Sequence, residues 1–259
     1  MIMVCSQKGG VGKTTVAVNL AVALGMLNYK VLLIDADFMA PTVGFFLGID
    51  DANIGISDVM EKKVALKKAT IRHDVSGIDV LPGTLSPKEL PSEPAMESFL
   101  KGISSIKDYD FVIVDTPPGT MHHEVAEMVN EVLLVSIPTM ASVSNSIKLS
   151  DIYDKEKVQH NIIINRMQNR RYELTQGEID DAIGIKSIIY LPEDSKVPLS
   201  EAQHIPLYIM DQKAPFCLNF SLLVRFYAAK KGSLMDRQAK IKQGRIASFI
   251  RIFRRILGI

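Results

Sequence analysis

Two lysines, a run of glycines and two threonines crowd into residues 8–15, which read KGGVGKTT. Glycines let backbone N–H groups turn toward phosphate oxygens, and a helix that starts there adds the positive end of its dipole. At this spacing Lys13 would contact the outer phosphates and the Thr14 hydroxyl would bind Mg²⁺. A strand-like run, Met1–Ser6, precedes the loop and a helical pattern, Thr15–Asn28, follows it. The alternative is a glycine-rich turn with incidental lysines, but the placement between strand and helix favours a phosphate-binding loop.

The loop departs from the usual G-x-x-x-x-G-K-[ST] pattern, because Gln7 stands at the first position. Lys8 adds a second ammonium group beside the one on Lys13. Like charges this close repel, so an anion must lie between or opposite them. The loop resembles the deviant Walker A loop of the MinD/ParA ATPases. That resemblance implies that Lys8 crosses to the phosphates of a partner in an ATP-bound homodimer, and that Lys8 and Lys13 are catalytic. The predicted nucleotide contacts in the loop are Gly9, Gly10, Val11, Gly12, Lys13, Thr14 and Thr15.

An apolar run, VLLIDAD, delivers two acids to the end of a second strand, Asp35 and Asp37. Two carboxylates beside a phosphate loop repel each other unless a cation or ordered water lies between them. The family resemblance implies that Asp37 lies in switch I, positions the attacking water and belongs to the Mg²⁺ site. For Asp35 two roles stay open, a structural acid that accepts backbone amides and a role near Mg²⁺.

A third segment, YDFVIVDTPPGT, places Asp115 at the end of another apolar strand. This layout predicts an acid that holds Mg²⁺, partly through water. Prolines stiffen the loop that follows, and Gly119 would let a backbone N–H approach the terminal phosphate. The segment resembles switch II of the same family, most literally that of its Mrp-like branch.

Two later segments are candidates for the base of the nucleotide. In IIINRM, the polar Asn165 ends a buried strand, where it would either cap the next element or contact a base edge. The resemblance favours adenine contacts by Asn165 and Arg166. It also implies that Pro192 and Asp194 of LPEDSKV lie beside the base, although such a turn needs no ligand.

The elements that must position these residues alternate between strand and helix patterns. Nearly continuous apolar runs predict strands buried on both faces, at Ile2–Cys5, Val31–Ile34, Ile78–Leu81, Phe111–Val114, Val132–Ile137, Ile162–Ile164 and Ile188–Leu191. Besides Thr15–Asn28, helical patterns occur at Pro94–Ile106, Glu124–Val129 and Ser142–Tyr153. This alternation predicts an α/β protein with a doubly wound, mostly parallel sheet flanked by helices. We expect a P-loop ATPase domain at residues 1–231, with the family resemblance covering about residues 1–228, and a linker with an amphipathic helix at residues 232–259.

Composition excludes several other classes of protein. The chain has 259 residues, of which 47% are hydrophobic and 23% charged, so one large globular domain is expected. Its two cysteines, Cys5 and Cys217, are too far apart in sequence for a C-x-x-C site or a disulfide framework. Without a signal-peptide pattern or an apolar run of about 20 residues, we expect a cytoplasmic protein that does not span a membrane.

The C-terminal segment carries an excess of positive charge. Residues 237–259 contain seven Lys and Arg and no acid, so a net charge of −6 falls on the rest of the chain. On a helix of 3.6 residues per turn, the side chains that share one apolar face are Ile246, Phe249, Ile250, Phe253, Ile256 and Leu257. Arg254 lies on the opposite face with two other arginines. This pattern predicts a helix that lies in the interface of an anionic membrane, with docking on the domain or a nucleic-acid arm as alternatives.

The tail also resembles the C-terminal targeting helix of MinD proteins. The resemblance implies an ATP-dependent dimerising switch that is peripheral on the inner face of the cell membrane when bound to ATP, in spatial regulation of cell division or protein positioning. One tail should bind weakly, because ordering it costs about 1–2 kcal/mol per residue. Two tails on one dimer gain avidity of about 10²–10⁴. We expect slow hydrolysis and an activating or cargo protein.

Three other functions are compatible with parts of the sequence. A ParA-like DNA-partitioning ATPase would use the same nucleotide site, although the body's net charge of −6 opposes DNA binding. An Mrp-type iron–sulfur carrier would need a paired-cysteine site that the sequence lacks. A scaffold that binds nucleotide without hydrolysing it would not need Asp37 and Asp115. His122 and His123 are expected to be an exposed pair rather than a metal site, and Asn145 stands where MinD proteins commonly carry Asp.

Overall fold

The structure is a computed structural model that describes residues 1–49, 54–83, 93–104, 106–119, 128–184 and 188–232. In this part of the chain an eight-stranded sheet has the order β3-β4-β2-β5-β1-β6-β7-β8. The strands are β1 Ile2–Cys5, β2 Val31–Asp35, β3 Ile71–His73, β4 Ile78–Leu81, β5 Phe111–Asp115, β6 Glu131–Ser136, β7 His160–Met167 and β8 Ile188–Pro192.

The sheet is parallel except at one edge, which confirms the predicted fold class. Only β3 runs antiparallel in the described sheet, paired with β4. It was not predicted, because its three residues are partly exposed and carry no apolar run. Every residue of β1, β2, β5 and β6 is buried, as expected for strands covered on both faces.

Helices cover both faces of the sheet. They are α1 Lys13–Met26, α2 Val43–Leu47, α3 Ile56–Met60, α4 Leu66–Ala69, α5 Glu93–Ser104, α6 Met140–Lys155, α7 Gln176–Ile183, α8 Lys196–Ala202, α9 Leu207–Met210 and α10 Pro215–Lys230. The predicted helices at Thr15–Asn28, Pro94–Ile106 and Ser142–Tyr153 correspond to α1, α5 and α6 with shifted ends. Most of the predicted helix Glu124–Val129 lies outside the described residues, and Val129 itself is in an irregular segment before β6.

The sheet separates two apolar clusters. One contains side chains of α1 and α10, such as Leu20, Phe216 and Phe220, and the other contains side chains of α5, α6 and α7, such as Leu100 and Tyr153. No helix in the described part of the chain is long and apolar enough to cross a bilayer. Strand order reverses at β1, which lies between β5 and β6. In sheets of this kind ligands bind at that reversal, beyond the carboxyl ends of the strands.

Candidate nucleotide and magnesium site

The loop between β1 and α1 lies at this reversal. Gly10 and Gly12 have positive φ of 76° and 96°, a region that favours glycine, and α1 begins at Lys13. No side chain of the described residues caps α1, and its first turn holds no acid. Its first N–H groups therefore remain available to an anion at the positive end of the helix dipole.

The two lysines of the loop differ in exposure. Lys13 is buried, with 8% of its surface accessible, whereas Lys8 is exposed. The Lys8 carbonyl accepts a hydrogen bond from the Ser6 hydroxyl at 2.8 Å, which holds the backbone while the side chain stays outside. One ammonium group is thus built into the loop and the other is presented on its outer side.

Asn165 ties the phosphate loop to the end of β7. Its side-chain amide is buried and donates to the Val11 carbonyl at 2.8 Å. A Cβ at Gly12 would lie 2.3 Å from the Asn165 amide nitrogen, so this close approach requires glycine at that position. The geometry therefore gives Asn165 a role in holding the loop, which is nearer to the capping alternative than to a base contact.

Thr14 and Asp115 form the core of the candidate Mg²⁺ site. The Thr14 hydroxyl donates to Asp115 Oδ2 at 2.6 Å and accepts from the Thr42 hydroxyl at 3.2 Å. Asp115 is 1% exposed, and its Oδ1 has no hydrogen-bond partner among the described residues. Burial raises the pKa of Asp115 to about 7, against the opposing effects of Thr14 and Lys13.

These groups fit Mg²⁺. This small hard cation takes oxygen ligands and is held by one or two carboxylates with water and phosphate oxygens completing its shell. A buried carboxylate oxygen without a partner, next to a hydroxyl, supplies such ligands. No group of three or more His, Cys, Asp or Glu suited to a metal occurs in the described part of the chain, and a magnesium site of this type does not need one.

Asp35 has a structural position. Its two carboxylate oxygens accept from the backbone N–H groups of Asp37 at 3.1 Å and Val43 at 3.0 Å. Burial, and secondarily the neighbouring Asp115, raises its pKa to about 8. Asp35 therefore anchors the segment that carries Asp37, which favours the first of its two predicted roles.

Asp37 itself lies at the rim, partly exposed. Its Oδ1 accepts from the backbone N–H groups of Met39 at 3.2 Å and Ala40 at 3.0 Å, so a tight turn fixes the side chain. The segment beyond β5 reaches the same place: Gly119 has a φ of 84° and its N–H donates to the Ser6 carbonyl at 2.8 Å. A phosphate contact by that N–H would require this bond to open.

The predicted base contacts gather at the ends of β7 and β8. Arg166 has a φ of 61° at a bulge, and its Nε lies 3.8 Å from Glu193 Oε2. Pro192 pairs with Met167. Asp194 is buried, and its two oxygens accept from the N–H groups of Lys196 at 3.0 Å and Phe216 at 3.2 Å. The Asp194 carboxylate thus joins α8 to α10 and is already engaged.

A second layer of hydrogen bonds lies behind the loop and was not predicted from the sequence. The buried Thr15 hydroxyl donates to Glu201 Oε1 on α8 at 3.0 Å. The Asn19 amide donates to the Thr15 carbonyl at 2.8 Å and its oxygen accepts from the Tyr208 N–H at 2.8 Å. Asn19 is a polar residue within the apolar pattern of α1, which was the one available signal.

The remaining predicted residues lie either outside the described residues or away from the candidate site. The segment that contains Thr120, His122 and His123 and the tail residues Ile246, Phe249, Ile250, Phe253, Arg254, Ile256 and Leu257 lie outside the described residues. Cys5 and Cys217 are both buried and burial raises the pKa of each thiol to about 12, so neither is an exposed ligand for a cluster. Asn145 is exposed on α6.

The fold and this site together define a P-loop nucleotide-binding protein, and comparisons with known proteins narrow the class. A family model described as an AAA domain matches residues 1–149. The septum site-determining protein MinD of Synechocystis is 30% identical over 82% of this chain and 83% of its own. The MinD of Pyrococcus horikoshii, solved with Mg-ADP, superposes with a TM-score of 0.79 at 25% identity, covering 90% of this chain and 98% of that one. A chain of the MinC:MinD cell division protein complex of Aquifex aeolicus has a TM-score of 0.77 at 26% identity, covering 88% of this chain and 95% of that one.

The chain belongs to the MinD/ParA family of P-loop ATPases, as its motifs predicted. It is accordingly an ATPase, and its cofactors are ATP and Mg²⁺.

Proposed function

We propose that the protein is an ATP-dependent dimerising switch that binds membrane reversibly and acts in positioning cell division or other proteins. The observation that carries the proposal is the contrast between the two loop lysines. Lys13 is buried beside its own nucleotide site, whereas Lys8 is exposed where it could reach a second subunit. In many NTPases a positive charge supplied from a partner stabilises the transferring phosphoryl group. Lys8 would supply that charge in the dimer.

The other residues of the nucleotide site would then have separate roles in binding and hydrolysis. Lys13 and the N-terminal N–H groups of α1 bind the phosphates, and Thr14 and Asp115 hold Mg²⁺, which offsets the phosphate charge when bound. Asp37, held by its turn, orients the attacking water at the open rim of the site. Asn165 keeps the loop in its binding conformation, and Arg166 and Pro192 would contact the base.

Membrane binding is assigned to the tail at residues 232–259, outside the ATPase domain at 1–231. Its apolar face and its basic residues suit an anionic bilayer, and each basic residue near such a surface contributes about 1 kcal/mol. Because one tail binds weakly, joining two subunits through ATP would bring the protein to the membrane and hydrolysis would release it to the cytoplasm. The structure of a MinC:MinD complex supports expecting a partner protein of comparable kind.

A Lys8→Ala variant tests the switch. We expect it to bind ATP with near-normal affinity, because Lys13 is intact, yet to remain monomeric and to lose hydrolysis. Light scattering with ATP and steady-state phosphate release measure the two effects. Lys107→Ala is the matched control, because Lys107 is exposed at the opposite end of the sheet. Normal dimerisation and hydrolysis by Lys8→Ala would refute the proposed mechanism.

Membrane binding is tested on the full chain with vesicles made of equal parts phosphatidylglycerol and phosphatidylcholine. We expect sedimentation with vesicles in ATP and not in ADP, and its loss when Phe249→Gln and Phe253→Gln are combined. Binding to DNA in place of vesicles, with the same dependence on ATP, would favour the ParA-like alternative.

A further inference from the structure

The last helix of the domain, α10, exposes apolar side chains on its outer face. Leu218, Leu222 and Phe226 recur every four residues and are 57%, 61% and 37% exposed. The opposite face is also apolar and is packed in the core through side chains such as Phe220 and Leu223. A surface helix ordinarily carries polar residues on its outer face. Leu218, Leu222 and Phe226, called here the α10 stripe, therefore need another explanation.

The charged residues of α10 itself are positive. The sequence has no acidic residue between Asp211 and Asp236. Arg225 is exposed next to the stripe and Lys231 follows the end of the helix. An apolar strip flanked only by cations on its own helix complements an anionic lipid surface, because leucine and phenylalanine enter the acyl boundary while the cations meet the headgroups.

The α10 stripe is also continuous with the proposed membrane segment. The helix ends at Lys230, and the chain then leads into the basic, apolar tail. Docking of that tail onto the stripe would bring the seven Lys and Arg of residues 237–259 to a helix that already carries Arg225 and has no acid, and residues 237–259 have no acid either to pair with those cations. A second copy of α10 would likewise bring cations and no acid. An anionic bilayer is the occupant that both the apolar and the charged groups fit.

We propose that the α10 stripe is a second membrane contact, which lies against the anionic bilayer together with the tail. The inference rests on the proposed membrane binding and extends it from the tail to the folded domain. The contact would hold the domain close to the bilayer in a fixed orientation, rather than leave it tethered by the linker.

The absence of tryptophan from the sequence allows a direct test. In the full chain a Leu222→Trp variant has a single indole, whose emission reports its surroundings. With ATP and the phosphatidylglycerol vesicles described above, we expect a blue shift and quenching by brominated lipid. Val75→Trp is the control, since Val75 is 40% exposed beside β3, at the sheet edge opposite to β8 and α10. Its emission should not change.

A loss-of-contact variant completes the test. Leu218→Gln combined with Leu222→Gln should weaken vesicle binding in ATP by about tenfold or more, because two large apolar groups no longer enter the bilayer. Hydrolysis without vesicles should be unchanged, and Val75→Gln should bind as the unmodified chain does.

Four results would overturn the inference. Unshifted Leu222→Trp emission on sedimented vesicles would leave the tail as sole anchor and the proposed function intact. Tighter vesicle binding by the double-Gln variant would mean that the stripe holds the tail back, and an altered dimer with normal vesicle binding would make it a protein contact. Failure of all variants and the unmodified chain to bind vesicles would end both proposals. An indole shift that survives the tail substitutions would support the stripe alone.

Discussion

Two buried carboxylates, Glu131 at the amino end of the sheet and Asp115 at its carboxyl end, have different sets of hydrogen-bond partners. At the amino end Glu131 is 3% exposed, and its oxygens accept from the Tyr227 hydroxyl at 2.8 Å, the Lys230 ammonium at 2.6 Å and the Asn161 amide. At the carboxyl end Asp115 is equally buried but receives only the Thr14 hydroxyl, and its second oxygen lacks a partner among the described residues.

This difference separates a structural acid from a functional one. A buried charge is costly unless it is paired and hydrogen-bonded, so a fully partnered carboxylate such as Glu131 joins elements, here β6, β7 and α10. A buried carboxylate oxygen without a hydrogen-bond partner raises the free energy of the protein when no metal is bound. The same oxygen attracts a cation more strongly. The raised pKa of Asp115, to about 7, expresses that cost.

An Asp115→Asn variant is the strongest test of the difference between Asp115 and Glu131. We expect hydrolysis to fall by about a hundredfold or more, because the Mg²⁺ site loses its anionic ligand. The free energy of unfolding without nucleotide should stay the same or rise, since a neutral amide replaces an incompletely bonded charge. Phosphate release and urea unfolding measure the two quantities. A large loss of stability would place Asp115 in the same class as Glu131.

The converse change is Lys230→Met at the amino end. It should lower the free energy of unfolding by about 3 kcal/mol, because it leaves the buried Glu131 without its cation. ATP affinity should not change, because the substitution lies at the far end of the sheet. Urea unfolding and nucleotide titration check this, with Lys107→Met as a control on an exposed lysine. A loss of ATP affinity with an unchanged free energy of unfolding would contradict the division into a structural Glu131 and a functional Asp115.

An Asn165→Ala variant distinguishes between a loop-holding role and an adenine contact for Asn165. Without its amide the buried Val11 carbonyl loses its donor, and we expect affinity to fall about tenfold, which corresponds to about 1.4 kcal/mol. A loop-holding role predicts equal losses for ATP and for tripolyphosphate, which has no base. A loss confined to ATP would instead restore the predicted adenine contact. Asn219→Ala, which removes an amide that donates to the Tyr190 carbonyl at 3.1 Å, is the matched control.

Sequence patterns predicted most of the sheet and the proximity of Thr14 to Asp115. Continuous apolar runs followed by polar residues marked β1, β2 and β5, and the loop motif placed Thr14 near Asp115 although 101 residues separate them. These features were predictable because burial on both faces and phosphate binding each demand particular residue types at fixed spacing.

The parts that sequence did not reveal depend on tertiary contacts. The hydrogen bond from Asn165 to Val11, the capping of two helices by Asp194 and the Thr15–Glu201 pair each join residues far apart in the chain. A polar residue at a strand end is compatible with capping, base contact or loop support, and only the fold decides among them. Likewise the sequence did not reveal the α10 stripe, because a helix with large apolar residues on both faces does not show which face is covered.

A final effect concerns pH. In the folded protein without metal, the pKa of Asp115 is raised from 3.8 to about 7, so between those values the folded state holds a proton that the unfolded state has lost. The contribution of the Asp115 carboxyl group to the free energy of unfolding is therefore present at low pH. It is lost as the pH rises toward 7, by at most about 1.4 kcal/mol per pH unit. Asp115→Asn does not titrate there. In EDTA its stability relative to the unmodified chain should increase from the unfolded value of 3.8 to about pH 7 and level off above that, following the raised pKa. A difference independent of pH, measured by urea unfolding, would mean that the carboxylate is as well satisfied as Glu131.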